Sequence, residues 1–218
     1  MGLAISVGIL AEMKELGEEQ GYEWRRDELD AVQEFLESRG FDTWEEPEDS
    51  SQLGMRSTLL SFPASNLHLL RRAYARFRKH PRETLDPVES GSLSDDDQAI
   101  IDFVGRLGDS HLLCHSDHNG YYVPVDFADP LFAPEEYEVP GYGAVGSSYG
   151  LKDELQIIAP RIDIRLNEDG SLPDSEVQRV NNMGDTSNHR FGAEQSVFVV
   201  LWEAARVSIK ENAAICFH

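Results

Sequence analysis

Apolar positions recur along the chain on two different periods, and the periods predict its elements. Between 24 and 39, Leu29, Val32, Phe35 and Leu36 fall three or four residues apart, the spacing of one helix face, and Gly40 follows as a C-terminal stop. Leu67, Leu70, Tyr74 and Phe77 repeat the pattern within 65–79, with Ser65 as N-cap and Pro81 beyond the end. A fourth helix starts at Ser94, whose side chain can cap, while Asp95, Asp96 and Asp97 complement the positive helix end; Ile100, Ile101, Val104 and Leu107 supply its apolar side. Further helices are expected over 148–159, stopped by Pro160, and over 173–180. From 193 to 211 the chain is apolar around most of a helix's girth, through Val197, Phe198, Val200, Leu201, Trp202, Ala204, Ala205 and Ile209, which places that helix at the centre of the fold.

Period-two alternation is scarcer. Tyr121, Val123, Val125 and Phe127 read as one arm of a hairpin over 111–127, with 111–115 as the other arm and Asp117, Asn119 and Gly120 as turn residues. Ile162, Ile164 and Leu166 read as a short strand and 213–217 as a last one. The opening residues fit both periods, and a helix ending near Gly17 is the preferred reading. The predicted fold is a helix-rich α+β single domain over 1–218, with a small sheet including the 111–127 hairpin and a buried C-terminal helix. The Pro-rich connection 128–143 is the one candidate boundary.

Charge changes this picture more than composition does. Of 218 residues, 40 are acidic and 19 basic, a net charge of −21, while 40% are hydrophobic, which excludes a disordered acidic tail. The charge repels phosphate backbones, so no general nucleic-acid binding is expected; it can attract a basic protein partner or itself mimic nucleic acid, and solubility also accounts for it. Its distribution is uneven: 61–82 carries six basic and no acidic side chains, against −10 for 1–60, −13 for 83–140 and −4 for 141–218. Arg71, Arg72 and Arg76 of that basic stretch are candidate partner-binding residues, the alternative being ion pairs inside the molecule. Two cysteines make no disulfide framework, no basic start precedes the apolar run 3–11, and no stretch approaches a membrane span, so a cytoplasmic protein without membrane attachment is expected.

Three groupings could carry chemistry. His111, His115 and His118, with Asp117, are donor types that hold a divalent metal such as zinc; the alternative is that Cys114 packs in the core and the histidines hydrogen-bond near a turn. Gly141 to Gly146 matches G-x-G-x-x-G before a helix, making Gly143, Gly146, Ser147 and Ser148 a candidate anion site, although Pro140 sits where the motif needs a strand. Gly146 to Gly150 also matches G-x-S-x-G, with Ser148 as nucleophile and Asp163 or Asp185, then His189 or His218, as partners; helix capping explains the serines as well.

Leu67-His68-x-Leu70-Arg71-Arg72-x-Tyr74-Ala75, His115-Ser116-Asp117 with the run from Gly120 to Phe127, Gly146-Ser147-Ser148, and Glu203 to Arg206 with Ala214 to Phe217 are phrases spread over most of the chain. Together they resemble a family of uncharacterised bacterial cytosolic proteins of about this size. The resemblance implies a bacterial, cytosolic protein of one domain and transfers no catalytic residue. Two functions are expected from the residues themselves. The first is a non-enzymatic protein-binding module, acting as immunity or inhibitor proteins do on basic toxins. The alternative is a metal-binding protein or metal-dependent hydrolase built on the histidine cluster. Neither the partner nor the oligomeric state is set by the sequence.

Overall fold

Leu3, Ile5 and Val7 are buried on one side of a strand, β1 (Gly2–Val7), and the chain then turns through Gly8 at φ 74° into helix α1 (Ile9–Leu16). The ambiguous opening is therefore both elements in succession, correcting the single-helix expectation. Left-handed backbone at position 8 suits glycine, and a Cβ there would also collide with Leu53. A computed structural model describes residues 2–88, 93–117, 119–184 and 186–218, with the backbone alone described at Ser187.

The remaining elements are α2 (Glu19–Ser38), β2 (Ser61–Pro63), α3 (Ala64–Lys79), α4 (Asp95–Gly105), α5 (His111–Cys114), β3 (Gly120–Val123), β4 (Leu131–Phe132), β5 (Ala144–Ser147), α6 (Ser148–Ile158), α7 (Asp174–Asn181), α8 (Gly192–Glu211) and β6 (Ile215–Phe217). The six strands form one mixed sheet in the order β2-β1-β6-β3-β5-β4, parallel at β3–β5 and antiparallel elsewhere. The helix-rich α+β class is as expected.

Alternation along the strands sends side chains to two cores. Leu3, Ile5, Val7, Tyr122, Ile215 and Phe217 face α3, α6 and α8, whose largest buried group is Trp202. Tyr121, Val123, Val145, Ala214 and Cys216 face α1 and α2, where Leu29, Val32, Phe35 and Leu36 are buried. The molecule is thus layered helix, sheet, helix, and α8 is central as its apolar girth predicts.

The 111–127 hairpin is replaced by other pairings. β3 lies between β6 and β5, and 111–114 is a helical turn rather than a strand. Ser110 Oγ accepts the Leu113 N–H at 3.1 Å, and the Glu154 carboxylate accepts the N–H groups of His111 and Leu112 at 2.9 and 2.7 Å. A carboxylate more than forty residues away thus supplies acceptors for this turn's N-terminal donors, a long-range cause with no local pattern. The expected strand at 162–166 is also absent: a 3₁₀ turn over Ala159–Ile162 and Asp163 at φ 59° bend the chain instead.

Candidate functional site

The predicted metal ligands do not converge. His111 is buried; its Nδ1 accepts the Ser147 N–H at 3.0 Å and its Nε2 lies 3.2 Å from the Ala128 carbonyl. His115 stacks on Tyr122 at 4.1 Å and donates from Nδ1 to the Ser116 carbonyl at 2.8 Å, and burial pushes its pKa down to about 3. Asp117 is taken by Arg71 and lies 3.3 Å from His68 Nε2, and His118 falls outside the described residues. Among the described residues no group of three His, Cys, Asp or Glu side chains could hold a metal. The metal reading of His111, His115 and Asp117 is replaced by stacking, backbone hydrogen bonds and an ion pair.

The predicted anion loop is occupied by the protein itself. All four residues are buried, Gly143 just before β5 and Gly146, Ser147 and Ser148 at the β5–α6 junction. Ser147 Oγ accepts from the N–H groups of Tyr149 and Gly150, capping α6, and donates to the Val125 carbonyl at 2.7 Å; Ser148 Oγ pairs with Ser208 Oγ at 2.7 Å. The N–H groups of Tyr149 and Gly150, which an anion at this helix end would use, are spent on these contacts. Of the partners proposed for a Ser148 nucleophile, His218 pairs with Ser6 at 2.9 Å and Asp185 lies outside the described residues.

The basic helix is turned inward. Arg71 donates to the Leu112 and His115 carbonyls, Arg72 Nε lies 2.9 Å from Asp97 Oδ1, Arg76 pairs with Asp96 and Asp97, and Arg78 pairs with Asp109. Arg71 and Arg72 are 5% and 6% exposed and Arg76 is half-buried, and the three tie α3 to α4 and the 112–117 segment. Burial alone would raise the Asp97 pKa, but hydrogen bonds from Arg76 and Ser94 and the charge of Arg72 hold it below the ordinary value.

With the arginines of α3 paired internally, the molecule presents acid outward, most regularly on α2. Glu19, Glu23, Asp27, Asp30, Glu34 and Glu37 follow one another at steps of four, four, three, four and three. At 100° per residue they fall within an arc of about 80°, away from the buried face. All six are exposed, and among the described residues none makes an ion pair. The row spans about 27 Å at 1.5 Å per residue, or one charge per ~5 Å, against one phosphate per ~3.4 Å along a DNA strand.

Neighbouring acids thicken it. Asp42, Glu45, Glu48 and Asp49 are exposed in the segment after α2. Glu135, Glu136 and Glu138 are exposed around a 3₁₀ turn whose Tyr137 packs edge-on against Phe35 of α2, ring centroids 5.4 Å apart.

Like charges three and four apart cost a helix about 0.2–0.5 kcal/mol per pair, so five adjacent pairs cost ~1–2.5 kcal/mol. Burial of Leu29, Val32, Phe35 and Leu36 contributes about 6–12 kcal/mol and wins. The sequence reading missed this row because it began the helix at 24, beyond Glu19 and Glu23. Gly21 and the absence of a side-chain cap at Glu18 hid the true start. The signal was nonetheless present in the four-and-three spacing of the acids.

No described helix is long and apolar enough to cross a membrane. No curated protein and no solved structure matches the chain. A family model described as "Putative DNA-mimic protein" matches residues 1–217. That overturns the expectation of an unspecific basic partner with no general link to nucleic-acid binding, since a DNA mimic answers to DNA-binding proteins. It also replaces the short phrases of the sequence reading with a match over nearly the full length, and with it the chain belongs to the DNA-mimic family.

Proposed function

We propose that the protein works by binding, presenting the α2 face to the DNA-contacting surface of a DNA-binding protein and so competing with duplex DNA. The observation that carries this reading is the row of six exposed, unpaired carboxylates on one face of a 20-residue helix. Basic side chains that position a protein on phosphates are sequence-independent readers of regularly spaced negative charge, and a regular carboxylate row offers them the same target. The internal pairing of α3 supports the reading, because it leaves the acidic layer without a competing basic patch from that helix.

Competition against a labelled duplex tests it. A helix-turn-helix repressor and a nucleoid-type DNA-bending protein serve as probes at 50 mM salt. The protein is expected to displace duplex from at least one of them, with affinity falling at least about tenfold by 200 mM salt, as charge-driven contacts do. Failure to displace duplex from either probe at 50 mM salt contradicts the proposal.

A further inference from the structure

An open groove of ≈ 660 Å³ runs between α2 and the 44–48 segment, bordering the carboxylate row at Asp30. Gln33 donates to the Trp44 carbonyl at 3.0 Å, which ties that segment to the helix. Glu46 lines the groove and is 9% exposed. Its Oε2 accepts both the Trp44 Nε1–H at 2.5 Å and the Ala214 N–H at 2.8 Å. Its Oε1 is buried with no hydrogen-bond partner.

A buried carboxylate oxygen without a donor is an unmet demand for a cation or an N–H group. Glu48, at one end, already holds Lys14 at 2.7 Å and Arg26 at 2.6 Å, so the open acceptors are Asp30, Glu45 and the Glu46 oxygen. Trp44 and Pro47 form an apolar wall beside them.

We propose that this groove receives one arginine side chain of the partner, its guanidinium bonded to the free Glu46 oxygen and flanked by Asp30 and Glu45. The assignment rests on reading the α2 face as the DNA-mimicking surface, and it adds a recessed contact to an otherwise exposed row. Guanidinium suits the site better than ammonium or a metal ion. It is flat, weakly hydrated and able to lie against an aromatic wall while donating to several oxygens. Arginine is also the side chain that DNA-binding proteins direct at guanine edges and phosphates, so a partner surface supplies it. Burial raises the Glu46 pKa to about 7 against the donors from Trp44 and Ala214, which fits a carboxyl lacking a counter-charge.

The test uses N-acetyl-argininamide as probe at pH 8, where the Glu46 carboxyl is ionised, with the indole N–H resonances of Trp24, Trp44 and Trp202 as readout. The Trp44 resonance is expected to shift saturably while Trp202 stays fixed. N-acetyl-lysinamide should bind several-fold more weakly, and Glu46→Gln should weaken the arginine probe at least tenfold. Asp30→Asn/Glu45→Gln, both exposed, should weaken it several-fold in a protein whose core is untouched. No saturable Trp44 shift, an unchanged response in both variants, or a Trp44 shift produced by Mg²⁺ at lower concentration than by the arginine probe would overturn the proposal. Because this titration needs no DNA-binding protein, its failure is separable from failure of duplex competition.

Discussion

Glu46 and Glu154 are the two buried carboxyls whose pKa burial raises to about 7, against donors from Trp44 and Ala214 in the first case and from Leu112, His111 and Ser110 in the second. A group raised from 4.5 keeps its proton in the fold at pH values where the unfolded chain has released it. Its contribution to stability is therefore complete below about pH 4.5 and is lost as pH rises toward 7. Burial lowers the pKa of His111, His115 and His218, so these gain stability over part of the same range and the carboxyls are read by difference: in urea titrations the stability of Glu46→Gln should fall less, or rise more, between pH 5 and pH 8 than that of the parent protein, by up to about 3 kcal/mol. The pair between Arg72 and Asp97 makes the opposite point about buried charge. Asp97→Ala leaves Arg72 buried beside Arg76 without its counter-charge, and unfolding titrations should show a loss of about 3 kcal/mol.

At the scale of the element, α2 is a helix held by one face and used by the other. Glu23→Gln/Asp27→Asn/Glu34→Gln interrupts all five adjacent like-charge pairs while leaving Asp30 in the groove. The urea midpoint should rise, by about 1 kcal/mol of stability, as binding is lost. A row selected for folding alone would not carry this repulsion.

Elements with a strong local pattern were legible: α4 with its Ser94 cap and α8 with its apolar girth stand where periodicity puts them. Those decided by distant partners were not. The helical turn at 111–114 depends on Glu154, and β1 reads as strand because β2 and β6 flank it. The arginines of α3 looked available because sequence shows charge but not the Asp97 and Asp117 that cover it.

For the whole molecule, a charge of −21 first reads as solubility. Folding sorts it. The arginines of α3 are paired internally, and acid gathers on the α2 side of the sheet, where residues 12–49 alone carry 15 acidic and 4 basic side chains. The candidate site was thus legible as a charge and as a spacing, but not as a face, because the face exists only once Leu29, Val32, Phe35 and Leu36 commit their side of the helix to the core.

The central claim is that the arrangement of these acids matters and not their number. Duplex displacement by two variants of equal charge tests it most directly: Glu23→Gln/Asp27→Asn/Glu34→Gln on the row, and Asp153→Asn/Asp163→Asn/Glu168→Gln on exposed positions elsewhere. The row variant is predicted to lose at least about tenfold in displacement while the other matches the parent protein, as three lost contacts out of six imply. Equal displacement by the two variants would contradict the account.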